Sequence, residues 1–336
     1  MINEIERNNV ISERSRLFCP MERTMSEIFF SLMDYRNNYF TSDDPNKIIE
    51  FYNGFENRDQ LIRWMKGRPK GVANIHEVDG DKYIIIVIPT ADFNGKYAKE
   101  CRESIFKGLH MVFVESGEVP DPYFNYAHNC NVGIKKAMEY NPKWIVVSND
   151  DMIKIDEIEK LIAELKTLPD KDCYMVYCKK KKNNPNRVKL SYTTARRNFI
   201  FRLFKRYNAR YVVHFERKFD VKYLVAFLNF PYRILFKTKY TFPAIADFAV
   251  LSSKILNTIT ELYDETFINS GEDIDLSLRI YLSDCAYKIT NFRIGSIGGG
   301  SLGGNRMLRG LTGSVYMNHK IDKISEFDKR MRSRTK

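Results

Sequence analysis

The 336-residue chain lacks the marks of several large protein classes. No run approaches the roughly 20 apolar residues that span a bilayer. The nearest, from Tyr223 to Phe236, is broken by Asn229, Pro231 and Arg233. The opening residues Met1-Ile-Asn-Glu-Ile-Glu-Arg7 are too acidic and too weakly apolar for a secretory leader. The six cysteines, Cys19, Cys101, Cys130, Cys173, Cys178 and Cys285, contain no C-x-x-C pair. They indicate neither a zinc site nor a disulfide framework, and point to reduced thiols in a cytoplasmic protein. No G-x-G-x-x-G follows the first strand and no G-x-x-x-x-G-K-[ST] occurs anywhere, so dinucleotide and P-loop readings lose their main support.

What is present is a globular composition, 44% hydrophobic, with a net charge of +12 that is unevenly placed. Between Lys179 and Tyr240 there are 18 Lys and Arg against Glu216 and Asp220, a local excess of +16 that leaves −4 for the remainder. Within that segment Phe199, Leu203, Phe204, Tyr207 and Tyr211 fall near helical spacing among Arg196, Arg197, Arg202, Lys205, Arg206 and Arg210. The pattern suits an anionic membrane surface through residues 190–240. It equally suits an ordinary helix with its aromatic stripe on the domain and its charges in water.

Residues 1–80 give helical spacing over Met25–Tyr35 and Asp59–Met65, with a helix start at Asp43-Asp44-Pro45, and read as a mostly helical extension. From Tyr83 the pattern changes. Ile84–Ile88, Met111–Val114 and Trp144–Val147 are apolar runs without polar alternation, as in strands buried on both faces. Helical stretches over Tyr97–Lys107 and Tyr126–Tyr140 separate them, which predicts a parallel α/β sheet. Cys173–Cys178 reads as a fourth strand, and Ser253–Leu262 as a further helix. The main domain is expected over 81–320, interrupted by a basic aromatic insertion at about 180–240, with a basic tail over 321–336.

The strand at Trp144 ends in Ser148-Asn-Asp150-Asp151, and the carboxyl edge of an open α/β sheet is where ligands bind. Strand-end acids commonly cap the next helix. Here Asp156-Glu-Ile-Glu159 has capping-box spacing, which leaves Asp150 and Asp151 for another task, such as holding Mg²⁺ or Mn²⁺ against a diphosphate. Downstream, Gly271-Glu272-Asp273 opens a helix, where acids also complement the helix dipole. Gly295–Gly304 holds six glycines in ten residues, suited to close backbone approach to a ligand or to a surface loop.

The order Pro89-Thr90, Glu115-Ser-Gly, Ser148-Asn-Asp-Asp151 and Gly271-Glu-Asp-Ile-Asp-Leu-Ser-Leu-Arg279 resembles the GT-A fold glycosyltransferases, and among them the inverting family 2 enzymes. Ala127-His-Asn-Cys-Asn-Val-Gly-Ile134 resembles that family's helix start, and Ala246-Asp247-Phe-Ala-Val-Leu-Ser252 the segment before the acceptor side. The resemblance covers about residues 83–300 without most of 180–240. It implies a mostly parallel nucleotide-binding sheet flanked by helices, and sugar transfer from a nucleotide-sugar donor to an acceptor hydroxyl with inversion. It places Pro89, Thr90, Glu115, Asn131 and Asp150 at the donor, and Asp151 with Asp150 on a divalent cation, Mn²⁺ or Mg²⁺. Asp273 becomes the general base, Glu272 sits beside it, and Asp247 lies at the acceptor. Ser296 stands where many relatives carry a further His ligand. The resemblance implies a glycan or lipid-linked acceptor; if the basic segment binds membrane, the acceptor is lipid-linked and the protein is peripheral to the cytoplasmic face. A nucleic-acid-binding protein using residues 179–240 is one alternative, though it leaves the carboxylate motifs unexplained. A sugar-phosphate nucleotidyltransferase is another, though Pro89-Thr-Ala-Asp-Phe-Asn-Gly95 is not the Gly-rich basic loop that such chemistry shows.

Overall fold

Ile84-Ile-Ile-Val-Ile88 offers no polar side chain to either side, so a strand made from it must be covered on both faces. It is: all five residues are fully buried. The computed structural model describes residues 34–117, 121–169, 174–178, 191–195, 240–244, 247–259, 262–283, 285–297 and 305–323.

The first elements among the described residues are helices α1 (34–41), α2 (Pro45–Asn53) and α3 (Arg58–Gly67). The expected start of α2 is found: Asp44 caps it by accepting from Asn46 N, and Pro45 supplies a preset first turn. Then come β1 (Asn74–Val78), β2 (Asp81–Thr90), α4 (Lys96–Glu100) running into a π-helical turn over Cys101–Ile105, β3 (Leu109–Glu115), α5 (Tyr126–Met138) and β4 (Trp144–Ser148). Next are β5 (Met152–Lys154), α6 (Ile158–Lys166), β6 (Tyr174–Cys178), β7 (Ser191–Ala195), β8 (Tyr240–Ala244), β9 (Phe248–Ser252) and α7 (Ile255–Thr258). The last are α8 (Glu272–Leu282), β10 (Ala286–Thr290), β11 (Ile294–Ser296), α9 (Arg306–Arg309) and α10 (Leu311–Lys323).

The protein is α/β, with a mixed seven-stranded sheet in the order β1-β3-β2-β4-β9-β6-β10. β3, β2 and β4 are mutually parallel, as the alternating strand and helix pattern predicts. β9 runs against both β4 and β6, and β1 runs against β3. Apolar layers cover both faces: Ile84, Ile86, Phe113 and Trp144 meet Leu161 and Leu165 of α6 on one, and Ile85, Val87, Val112 and Ile145 meet Ala127, Cys130 and Ile134 of α5 on the other. A third cluster joins Phe40, Phe51, Trp64 and Met65 of α1–α3 to Phe267, Ile268, Leu311 and Tyr316. The helical extension thus braces the segment that leads into α8.

Several sequence expectations are corrected. β1 lies inside the segment assigned to the helical extension, because Asn74–Val78 is a solvated edge strand with little apolar signal. α6 starts two residues late, capped by Glu157 without a side-chain bond, and Asp156 instead pairs with Arg293 and Lys160. The helix expected to reach Leu262 stops at Thr258, since the Asn131 amide binds both N and O of Tyr263 and draws the chain onto α5. Cys285 is disulfide-bonded, against the expectation of reduced thiols, while Cys101 and Cys130 are free and buried.

Of the basic insertion, β7 and β8 are described and pair as an antiparallel ribbon, with β8 running beside α8. The aromatic-basic helix expected near 199–211 lies outside the described residues, as do the Gly-rich stretch from 298 to 304 and the tail beyond Lys323. No helix among the described residues is long and apolar enough to cross a membrane.

Candidate functional site

The carboxyl ends of β2 and β4 are neighbours because the two strands are parallel and in register, Val87 beside Val147. Thr90, the last residue of β2, donates its hydroxyl to Asp150 Oδ2 at 2.7 Å. Burial pushes the Asp150 carboxyl above the usual carboxylate range, the Thr90 hydrogen bond opposes this, and the charge of Asp151 adds to it. At this turn the Cys101 thiol donates to Asp150 O at 3.3 Å.

The reversed direction of β9 brings its beginning to the end of β4. Asn149 N donates to Asp247 O at 2.9 Å, and the Asn149 side-chain amide donates to Asp247 Oδ1 at 3.3 Å. The Tyr126 hydroxyl, at the start of α5, donates to Asn149 Oδ1 at 3.0 Å. Asn149 therefore ties together β4, β9 and α5, a role that the strand-end motif alone could not reveal.

α8 begins with the second acid pair. Gly271 precedes it at φ +96°, a left-handed conformation that L side chains avoid, and a Cβ there would stand 3.1 Å from Cε1 of Phe267. Glu272 is 7% exposed, and its Oε2 has no hydrogen-bond partner among the described residues. Asp273 Oδ1 accepts from Ile274 N at 2.7 Å, and its backbone oxygen accepts from the Ser277 hydroxyl at 2.6 Å. Burial, then the charge of Asp273, pushes Glu272 up to about 8, against the moderating Arg306 guanidinium. Burial likewise raises Asp273 to about 6; the Ile274 N–H pulls back, the charge of Asp247 adds, and Arg306 again lowers. Helix-dipole complementarity alone would not leave a buried Glu272 oxygen unsatisfied.

Asp247 links the two pairs: it is bonded to the residue before Asp150, and its charge acts on Asp273. Glu272 faces the buried Tyr126 and Tyr263 phenols and the Cys130 thiol, all pushed well above their ordinary values chiefly by burial. The structure so brings Thr90, Asp150, Asp151, Asp247, Glu272 and Asp273 to one edge of the sheet.

Other expected residues are differently employed. Glu115, at the end of β3, accepts from Phe93 N and from His76 Nε2, both at 2.9 Å, and these bonds hold its carboxyl below the usual range. His76 stacks on Phe93 with ring centroids 4.5 Å apart. Pro89 is buried in the ladder opposite Val114. Asn131 is not directed to a ligand: its amide holds Tyr263 O and N at 2.8 and 3.0 Å and Glu265 Oε1 at 3.0 Å. Asn149, Tyr126, Tyr263 and Arg306 were not singled out from sequence, because their part arises from tertiary approach.

Among the described residues no three His, Cys, Asp or Glu side chains gather as a metal cluster. A hard divalent ion nevertheless fits the donors in kind: Asp150 and Asp151 offer carboxylate oxygens, and the buried Ser296 hydroxyl, without a partner among the described residues, lies on the strand opposite Met152. Such ions keep several waters or substrate phosphates as further ligands. No family model, curated protein or solved structure matches this chain.

Proposed function

We propose that the chain is a glycosyltransferase of GT-A type, similar to the inverting family 2 enzymes, acting on a nucleotide-sugar donor and an acceptor hydroxyl. The observation that carries the reading is the gathering of five carboxylates, from the end of β4, the start of β9 and the start of α8, on one sheet edge. Parallel β3, β2 and β4 with their ligand-facing carboxyl ends support the fold type.

In this reading Asp151 and Asp150 hold a divalent cation, and Thr90 fixes the Asp150 carboxylate. The ion, when bound, neutralises charge on the departing diphosphate. Asp273, in its ionised form, accepts the proton of the acceptor hydroxyl as it attacks the anomeric carbon from the face opposite the diphosphate, so the anomeric configuration inverts. Glu272, whose protonated form burial and the neighbouring Asp273 charge favour, donates a hydrogen bond that positions the acceptor, and Asp247 borders the same space. Divergent acidities of adjacent carboxyls suit one base and one donor. Of the three residues at the ends of β2 and β3, Thr90 alone is left to border the nucleoside, since Glu115 and Pro89 are engaged within the fold.

A lipid-linked acceptor at an anionic, cytoplasmic membrane face suits the +16 segment, whose bracketing strand β8 lies beside α8. Thermal-shift screening of nucleotide sugars with and without Mn²⁺ identifies the donor. With that donor, Asp273→Asn abolishes transfer, by about 10³-fold or more, while donor affinity by calorimetry stays near wild type. Near wild-type turnover in that variant removes Asp273 from the role.

A further inference from the structure

Tyr126, the first residue of α5, is bonded to both halves of the carboxylate edge. Its backbone N, which no turn of its own helix can satisfy, donates to Asn269 Oδ1 at 2.7 Å, and the Asn269 amide donates back to Phe124 O at 3.3 Å. Asn269 holds φ +54°, a left-handed conformation that Asn tolerates better than most residues, just before Gly271 and the acids. Asn125 adds two bonds to the same stretch, its amide donating to Glu265 O at 2.9 Å and to Phe267 O at 3.0 Å. The start of α5 and the approach to α8 are thus one hydrogen-bonded unit.

The Tyr126 hydroxyl reaches the other half, donating to Asn149 Oδ1 at 3.0 Å, while Asn149 Nδ2 donates to Asp247 Oδ1 at 3.3 Å. The order of donors is forced. A carboxylate oxygen accepts, so the Asn149 NH2 must face Asp247; its carbonyl oxygen then faces Tyr126, whose hydroxyl must donate. Asn149 N holds the Asp247 backbone at 2.9 Å but does not direct its carboxyl. Without the hydroxyl the amide oxygen loses its donor, and the side chain is free to turn and take its NH2 off Asp247. The direction of that carboxyl matters to the acid pair, because the charge of Asp247 acts on Asp273.

We propose that Tyr126 is a positioning residue: through the Asn149 amide its hydroxyl sets the direction of the Asp247 carboxylate, and its backbone N–H ties that setting to the loop that carries Glu272 and Asp273. The catalytic part of this inference rests on the reading of Asp273 as the base. Tyr126→Phe, Asn149→Ala and the double variant are compared with wild type in the full chain, with the donor found by thermal-shift screening. Tyr126→Phe lowers kcat about tenfold, keeps the donor KM within about twofold, and moves the acidic limb of the kcat/KM profile about half a pH unit lower, as the Asp247 charge turns from the pair. Asn149→Ala moves the limb the same way, and the double variant falls no further, because the hydroxyl acts through that amide. A limb left in place in both single variants, or losses that add in the double variant, overturns the proposal. If wild type transfers no sugar from any nucleotide donor, the glycosyltransferase reading falls by itself. Carbon-13 magnetic resonance titration of the Asp273 carboxyl, assigned with Asp273→Asn, then tests the positioning alone: a midpoint lowered by about half a unit in Tyr126→Phe supports it, and an identical midpoint overturns it.

Discussion

Two adjacent acids, Glu272 and Asp273, differ in what surrounds them. Glu272 is buried, and its charge acts on Tyr126, Cys130 and Tyr263, whereas Asp273 is half-buried and feels the charge of Asp247; Arg306 acts on both. With both carboxyls raised by burial and by each other's charge, the pair is expected to bound a bell-shaped activity profile shifted above the ordinary carboxylate range, one limb for the loss of its first proton and the other for its second. Glu272→Gln, which keeps a donor but cannot ionise, removes the upper limb in a kcat/KM profile and keeps the lower one. Stability follows the same groups. Both folded-state values lie above the unfolded ones, so each carboxyl contributes stability fully present below its unfolded value and lost as pH rises through its folded value. Melting temperature should therefore decline from pH 5 to 9, and less so in Glu272→Gln; scanning calorimetry across that range decides it. These acids were legible in the sequence because they sit in motifs. Asn131 misled because an Asn at a helix start looks the same whether it faces a ligand or, as here, the chain at Tyr263.

At the scale of elements, the start of α8 depends on the backbone before it. Gly271→Ala places a Cβ in the left-handed region 3.1 Å from the Phe267 ring, which should cost about 1–2 kcal/mol and displace the acid pair. Urea unfolding together with kcat measures both effects; a fully active, undiminished variant contradicts the strain argument. β2, β3 and β4 were readable because an unbroken apolar run buried on both faces leaves few other assignments. β1 was not, since it is held by pairing with β3 and carries little apolar signal of its own. The apparent capping box at Asp156 was misread for a related reason: Arg293, distant in sequence, binds that carboxylate bidentately, and burial-independent pairing holds it at about 2.

For the molecule as a whole, the helical extension and the carboxylate-bearing sheet edge pack together. Arg68 is buried, with Nε donating to Asn37 Oδ1 at 2.8 Å, Nη1 to Tyr123 O at 3.2 Å, and Nη2 to Pro122 O. Lys70 reaches Glu265 O at 2.6 Å. Gly313 of α10 sits so close to Ser270 that a Cβ would fall 1.9 Å from its carbonyl oxygen. Trp64, edge-on to Phe40 and Phe51, belongs to the cluster that also contains Phe267 and Ile268. Trp64→Ala should cost roughly 3–5 kcal/mol and lower transfer despite its distance from the acids. Unfolding should remain one transition, with fluorescence and circular dichroism superimposed. An early separate transition for the extension would show that it is independent. Sequence alone marked this region as helical but gave no hint of its purpose, because the partners that define it lie some 200 positions further along the chain.

The ribbon of β7 and β8 pairs Ala195 with Tyr240, so the long basic excursion leaves and re-enters the fold at adjacent points. A loop whose ends are already neighbours can lengthen, shorten or change composition at small entropic expense. The stretch between β7 and β8 is thereby tied to the fold at a single place, so its length and composition can change while the pairing of Ala195 with Tyr240 is kept.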